Sequence, residues 1–120
     1  MKEDNLLSFV VDQLSEMGAI ESRRMFSGWH VSQGGVFFGI VIKERLYFKT
    51  NETTRLRYEE MGMGPFRPRA KVTLKSLYEV PVDILEDGDE IVSWAWEAVA
   101  CQEEAGRKEN PPRPRKRKKT

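Results

Sequence analysis

The sequence has very few of the side chains that usually build catalytic or metal centres. Its 120 residues include one histidine, His30, and one cysteine, Cys101. A single thiol excludes an intramolecular disulfide, and one histidine with one cysteine cannot form a zinc site by themselves. Without a second candidate base or nucleophile, we interpret His30 as structural rather than as a proton carrier. We therefore expect a protein that is not an enzyme and that needs no cofactor.

Two kinds of motif are also missing. The segment GMGPF, residues 62–66, has its glycines at the wrong spacing for a GxGxxG loop and is typical of a helix end followed by a turn. There is neither a signal-peptide pattern nor an uncharged apolar run long enough to span a membrane. With the low cysteine content, these absences predict a cytoplasmic protein without a membrane span.

The densest group of acidic residues lacks the spacing of a metal site. It surrounds the predicted start of the last helix and matches no EF-hand loop. The simpler interpretation is that these carboxylates interact with the positive end of the helix dipole. The group consists of Asp83, Glu86, Asp87, Asp89 and Glu90.

Charge is distributed very unevenly along the chain. Residues 1–105 contain 12 Lys and Arg against 18 Asp and Glu, whereas residues 106–120 contain 8 against 1. We therefore predict an acidic globular domain, 1–105, followed by a basic tail, 106–120, whose composition is typical of disorder. Attraction to DNA, RNA or another anionic surface is expected from the tail. The alternatives are that the tail folds back on the acidic domain or is only a solubilising extension.

A cluster of cations in the tail supplies the candidate nucleic-acid contacts. No aromatic residue lies among them, so they cannot stack on bases and are expected to bind phosphates without reading sequence. The candidates are Arg113, Arg115, Lys116, Arg117, Lys118 and Lys119.

The stretch VFFGIVIKERLYFKT, residues 36–50, predicts a β-hairpin around which the domain is organised. Under strict alternation one face of this hairpin is almost wholly apolar, and its parity favours a connection of three or five residues. That face would contain Val36, Phe38, Ile40, Ile42, Leu46, Phe48 and Thr50. The opposite face is mixed and could meet solvent, a ligand or a partner. A single sheet with helices on one side would satisfy both faces.

Helices are predicted before, between and after the strands. The first has its apolar residues at helical spacing, and Asn51 and Asp87 are expected to cap the second and the last. The first helix would bury Leu7, Val10, Val11, Leu14 and Met17. Further strands are predicted over residues 21–27 and 72–80, and Arg23 and Arg24 would point to opposite faces of the former.

The last helix is apolar around much of its circumference. Such a helix is either sandwiched within the domain or exposes a patch for a protein partner or a second copy of the chain. Trp94 and Trp96 are the candidate partner-binding residues. They motivate the expectation of a homodimer, formed through this helix or through a sheet edge.

Six segments carry a resemblance to a known family. They are SRRMFSGW at 22–29, GVFFGI at 35–40, RLYFK at 45–49, GMGPF at 62–66, YEVPVDILED at 78–87 and SWA at 93–95. In this order and spacing they resemble the TfoX N-terminal-domain-like family. The segment RPRAKVTLKSL, residues 67–77, departs from the family's usual Gly-Lys-Pro turn and Met-Ser-Tyr strand.

The resemblance implies both a fold and a function. The implied fold is α+β, with a mostly antiparallel, curved sheet of about five strands covered by helices, similar to secretion-chaperone-like folds. The implied function is regulatory, in the control of competence for DNA uptake. With the basic tail, this favours a non-enzymatic regulatory or nucleic-acid-associated protein. The alternative is a protein-interaction adaptor that acts through its sheet face or its Trp-rich helix.

Overall fold

The computed structural model describes residues 3–25, 28–69 and 72–109 and confirms the α+β class. One antiparallel sheet has the strand order β1-β2-β3-β4-β6-β5. Its strands are β1 Ile20–Met25, β2 Gly28–Gln33, β3 Val36–Ile42, β4 Arg45–Lys49, β5 Pro65–Arg69 and β6 Val72–Glu79. The helices are α1 Glu3–Gln13, α2 Thr54–Glu60, α3 Val82–Leu85 and α4 Gly88–Glu109, with a 3-10 turn at Ser15–Met17.

The sheet has six strands, one more than the five or so that the sequence predicts. Two strands, β2 and β5, are absent from those that the residue pattern predicts. Strand β2 pairs with β1 on one side and β3 on the other. It begins at Gly28, where a Cβ atom would lie 2.7 Å from the carbonyl oxygen of Val41. Only glycine allows the two backbones to approach this closely. The sequence analysis predicts no strand in this segment, because it has few apolar residues between two glycine-containing ends.

A β-bulge in β3 changes which side chains share a face. Val31 pairs with Gly39 and the next residue, Ser32, pairs with Phe37, so Phe38 is the extra residue on β3. Phe38 therefore lies on the helix-covered face together with Val41, whereas Ile40 and Ile42 lie on the opposite face. The prediction that Phe38, Ile40 and Ile42 share one face was wrong, because it assumed unbroken alternation.

The same bulge also determines the length of the connection between β3 and β4. It has two residues, Lys43 and Glu44, with φ values of 52° and 63°. Two successive positive φ angles are typical of the tight hairpin turn that matches the twist of paired strands. The predicted connection of three or five residues was wrong. The bulge puts Val41 rather than Ile40 on the core face, and a two-residue turn then pairs Val41 with Leu46.

The main core lies between one face of the sheet and the helices α1, α2 and α4. Phe38, Leu46 and Phe48 are buried beneath Val10 and Leu14, as predicted. The remaining members come from every layer of the domain. They are Leu6, Met17, Val31, Val41, Tyr58, Tyr78, Val80, Ile91, Val92, Trp94, Ala95, Ala98 and Val99.

Two predicted helix caps are confirmed. The Asn51 side-chain oxygen accepts hydrogen bonds from the backbone N–H groups of Thr53 and Thr54, at 2.9 and 2.8 Å, ahead of α2. The Asp87 carboxylate accepts the N–H groups of Asp89 and Glu90, both at 3.1 Å, at the start of α4. These bonds satisfy donors that the first helical turn leaves without intrahelical partners.

Helix α4 is longer than expected. It continues to Glu109, so residues 106–109, which the sequence assigns to the tail, are helical. Among the helices of the described ranges, none is long and apolar enough to cross a membrane.

Candidate functional site

The second face of the sheet is apolar yet lies opposite the helices. No helix of the described residues contributes to this face, which we call the uncovered face. Ile40, Phe66 and Leu77 are buried on it and pack against three half-buried neighbours. Those neighbours are Phe37, Ile42 and Tyr47. The rings of Tyr47 and Phe66 pack with their centroids 4.8 Å apart, which joins β4 to β5 across the intervening strand.

The uncovered face forms a groove with a volume of about 640 Å³. Residues from both edges of the sheet line it, with Met25 on β1 and Pro68 on β5. A flat sheet could not bring its two edges around one cavity, so the sheet is curved with this face concave. The predicted curvature is therefore what creates the groove.

The polar groups of the groove are basic or neutral. Lys43, Lys49, His30 and Ser76 line it, and no Asp or Glu stands among its described lining residues. The Lys49 ammonium donates a hydrogen bond to the Ser76 hydroxyl at 3.3 Å. The groove is therefore lined by two ammonium groups and, among its described lining residues, by no carboxylate.

His30 lies in the groove against Phe37, with ring centroids 4.4 Å apart. Burial lowers the pKa of His30 below its ordinary value, and the charge of Arg23, which faces it from β1, lowers that pKa further. The imidazole is therefore neutral at physiological pH. A neutral imidazole has one donor and one acceptor nitrogen for the groove.

We expect the imidazole of His30 to titrate below pH 6.5, its ordinary midpoint. Because the chain has one histidine, its Cε1–H resonance gives that midpoint directly by NMR. Arg23→Gln should raise the midpoint only part of the way, since burial is the larger cause. The unfolded chain binds this proton more readily than the folded chain does. The contribution of the shift to the free energy of unfolding is therefore complete above pH 6.5 and is lost as the pH falls through the folded-state pKa. A midpoint at or above 6.5 contradicts this account.

The ion pair of Arg45 and Glu79 borders the same face. One guanidinium nitrogen of Arg45 donates to both carboxylate oxygens of Glu79, at 2.7 and 2.8 Å, across β4 and β6. Both side chains are partly exposed, so the pair contributes little stability. Its consequence for the groove is that the carboxylate of Glu79 already has a cationic partner.

The structure separates the two candidate partner-binding tryptophans. Trp94 is 3% exposed and packs on the ring of Tyr58, 4.7 Å away, with the guanidinium of Arg57 4.0 Å from its centroid. Trp96 is 44% exposed. The burial of Trp94 leaves Trp96 as the exposed member of this pair.

Cys101 lies beside a second, polar cavity of about 440 Å³. Its sulfur is 3.6 Å from the hydroxyl of Thr54, and burial raises the pKa of Cys101. A raised pKa disfavours the thiolate, which is the reactive form. Within residues 3–25, 28–69 and 72–109, no three His, Cys, Asp or Glu side chains are grouped so that they could hold a metal ion.

The remaining sequence-predicted positions lie at the periphery. Arg23 pairs with His30 and Arg24 with Trp29, so their side chains point to opposite faces of β1, as the alternation predicts. Arg24 lies 5.4 Å from the Trp29 ring. The six candidate nucleic-acid contacts fall outside the described residues. They are Arg113, Arg115, Lys116, Arg117, Lys118 and Lys119.

Sequence reasoning identified only part of the face that carries the groove, because it assigned Ile40 and Ile42 to the other face. The mixed face of the hairpin was expected to meet solvent, a ligand or a partner, and Phe37 and Tyr47 do line or border it. Phe66 and Leu77, which complete the apolar wall, come from distant parts of the chain. The available signal was the two aromatic residues on the face that was expected to be mixed.

The comparisons with known proteins agree with this architecture. The sequence model of the TfoX N-terminal domain matches residues 12–102, a range that contains all six strands. Among curated proteins, no significant match to this chain is found. Because the matched range covers most of the chain, the protein belongs to the TfoX N-terminal domain family and is a TfoX-like regulatory domain.

Proposed function

We propose that this protein is a non-enzymatic, cytoplasmic regulator whose domain presents a basic arm for sequence-independent contact with nucleic acid. The observation that carries the proposal is the segregation of charge, with six cations within the seven residues 113–119 following an acidic domain. Cations concentrated in this way neutralise phosphates and release counterions, whatever the base sequence.

The position of α4 supports the same proposal. Ala105 still lines the cavity beside Cys101, and the helix continues for four further residues to Glu109. At 1.5 Å per residue, this extension is about 6 Å long. It supports a separation of the arm from the acidic core, which would otherwise repel a polyanion. The prolines that follow favour extended conformations and increase this separation.

Truncation after Glu109 tests the arm while keeping all of α4. We expect the full chain to bind duplex DNA and RNA with a dissociation constant on the order of 10⁻⁶ M or weaker at physiological salt. If about five phosphates are neutralised, log K should fall with log salt with a slope of roughly −4.5. The truncated chain should lose this binding and keep its thermal transition. A matched variant with all six cations replaced by glutamine separates charge from length.

The arm is excluded as a nucleic-acid contact if the full and truncated chains shift labelled DNA and RNA equally. The same conclusion follows if neither binds at low salt. Binding that persists in the glutamine variant would assign the interaction to another part of the chain.

A second candidate function is that of a protein-interaction adaptor. The observation that favours it is the exposure of Trp96 on α4, since exposed tryptophans are enriched at interfaces. The partner can be another protein or a second copy of this chain. Copurification that recovers a protein, but not nucleic acid, favours this candidate, and sedimentation over a concentration series detects self-association.

A further inference from the structure

The groove on the uncovered face has the size and walls of a small-molecule site. Its volume of about 640 Å³ falls in the range of about 300–1,000 Å³ that is typical of such sites. Ile40, Phe66 and Leu77 are buried there although α1, α2 and α4 pack on the other face. Their mutual packing makes the apolar floor preformed, so a ligand gains contact area without reorganising the sheet.

The charges that line the groove select for an anion. Its lining includes Lys43, Lys49 and the neutral His30, without an acidic residue in the described part of the lining. Residues 1–105 nevertheless contain 18 acidic against 12 basic side chains. An acid-free groove in an acidic domain would attract a ligand of negative charge and disfavour a cationic one.

One part of the groove offers a defined position for the anionic group. Lys49 and Ser76 place an ammonium and a hydroxyl 3.3 Å apart, and both can donate hydrogen bonds to the same acceptor. Leu77 follows Ser76 in β6 and pairs with Lys49 across the sheet. An apolar wall therefore begins directly beside the two donors. Glu79 is engaged by Arg45. Lys49 and Ser76 also line the polar cavity beside Cys101, together with Glu52 and Glu104.

We propose that this groove binds a small amphiphilic carboxylate. Lys49 and Ser76 hold the carboxylate head, and the apolar body of the ligand lies against Phe37, Phe66 and Leu77. The ligand is a free molecule rather than a membrane lipid, because a concave surface can enclose one apolar molecule but cannot lie flush against a flat bilayer. This ligand site is separate from the basic arm, so its test does not depend on the arm binding nucleic acid.

Decanoate, decanol and decyltrimethylammonium provide a matched set of probes, since they share one alkyl chain and differ in the head group. Each is titrated into the full chain below its critical micelle concentration, by calorimetry and by NMR of His30. Decanoate should bind about tenfold more tightly than decanol, the effect of one charge-assisted hydrogen bond. Decyltrimethylammonium should bind most weakly. The His30 resonance should shift on binding, and its pKa should rise as a carboxylate enters the groove.

The variant Lys49→Gln removes the proposed contact to the head group. It should weaken decanoate binding about tenfold and leave decanol binding unchanged. Arg55→Gln is the matched control, because it removes the same charge from α2, outside the groove lining. If Lys49→Gln fails to fold, the head-group series and the His30 shift of the unmodified chain still decide the question.

Three results would overturn the proposal. They are absence of decanoate binding, equal affinity for the three head groups, and equal effects of the Lys49 and Arg55 variants. Occupation of the groove by a second copy of the chain, seen as dimerisation that decanoate does not reverse, would also overturn it. If truncation after Glu109 abolishes nucleic-acid binding and leaves decanoate binding unchanged, the result supports both proposals.

Discussion

Phe48→Ala should reduce the free energy of unfolding by about 3–5 kcal/mol, the usual effect of truncating a buried phenylalanine. Phe48 is fully buried on β4, where its ring packs against Phe38 at a centroid distance of 5.6 Å. It also faces Gly39, whose absent side chain provides the space for the ring, since a Cβ there would lie 3.0 Å from a Phe48 carbon. Close packing on both sides leaves little room for the cavity to collapse, so the loss should be near the upper part of the range.

Chemical denaturation of the purified variant measures this loss. Phe37→Ala is the matched control, because it makes the same chemical change at a half-buried position on the uncovered face. It should cost less than about half as much, since part of its side chain is already in water. A loss below about 1 kcal/mol for Phe48→Ala, the size of an average substitution, would mean that the hairpin does not organise the core.

Trp94→Ala should also cost about 3–5 kcal/mol. The indole is 3% exposed and connects α4 to α2, where Tyr58 packs at its edge. Arg57 lies over the ring at 4.0 Å and also pairs with Glu97 on α4. Removing the indole therefore creates a cavity and takes away the surface that orients the guanidinium.

Trp96→Ala is the matched comparison, two residues away on the same helix. Trp96 is 44% exposed, so its removal should change the free energy of unfolding by less than about 0.5 kcal/mol. Any effect of this variant on partner binding or self-association can then be separated from folding. Equal losses of stability in the two variants would contradict the different environments that the structure assigns to these residues.

Local signals predicted the helices well because they act over a few residues. Val10 lies on α1 and Leu14 directly after its end, one helical turn further, and both are fully buried. Leu7 and Val11, which were predicted to be buried with them, are half-buried. Asn51 and Asp87 cap the helices that begin within three residues of them. Capping and helical periodicity depend on neighbours in the chain, so the sequence alone contains the necessary information.

The strands were harder to predict because their faces depend on long-range pairing. The alternation rule placed Phe38 correctly in the core, but it placed Ile40 on the same face. The bulge opposite Val31 changes the parity within β3, and a bulge is defined by the partner strand rather than by the residues of the bulged strand. A single inserted residue thereby moved two isoleucines to the uncovered face.

The sequence by itself determined the α+β class, the family, the helix caps and the uneven distribution of charge along the chain, since each depends on composition, spacing or local hydrogen bonding. The tertiary structure alone decided that the sheet has two apolar faces, that Trp94 is buried whereas Trp96 is exposed, and that Lys49 and Ser76 adjoin an apolar groove. Burial and charge in that groove arise from β3, β4, β5 and β6 meeting in a curved sheet. No local pattern specifies which distant side chains such curvature will bring together.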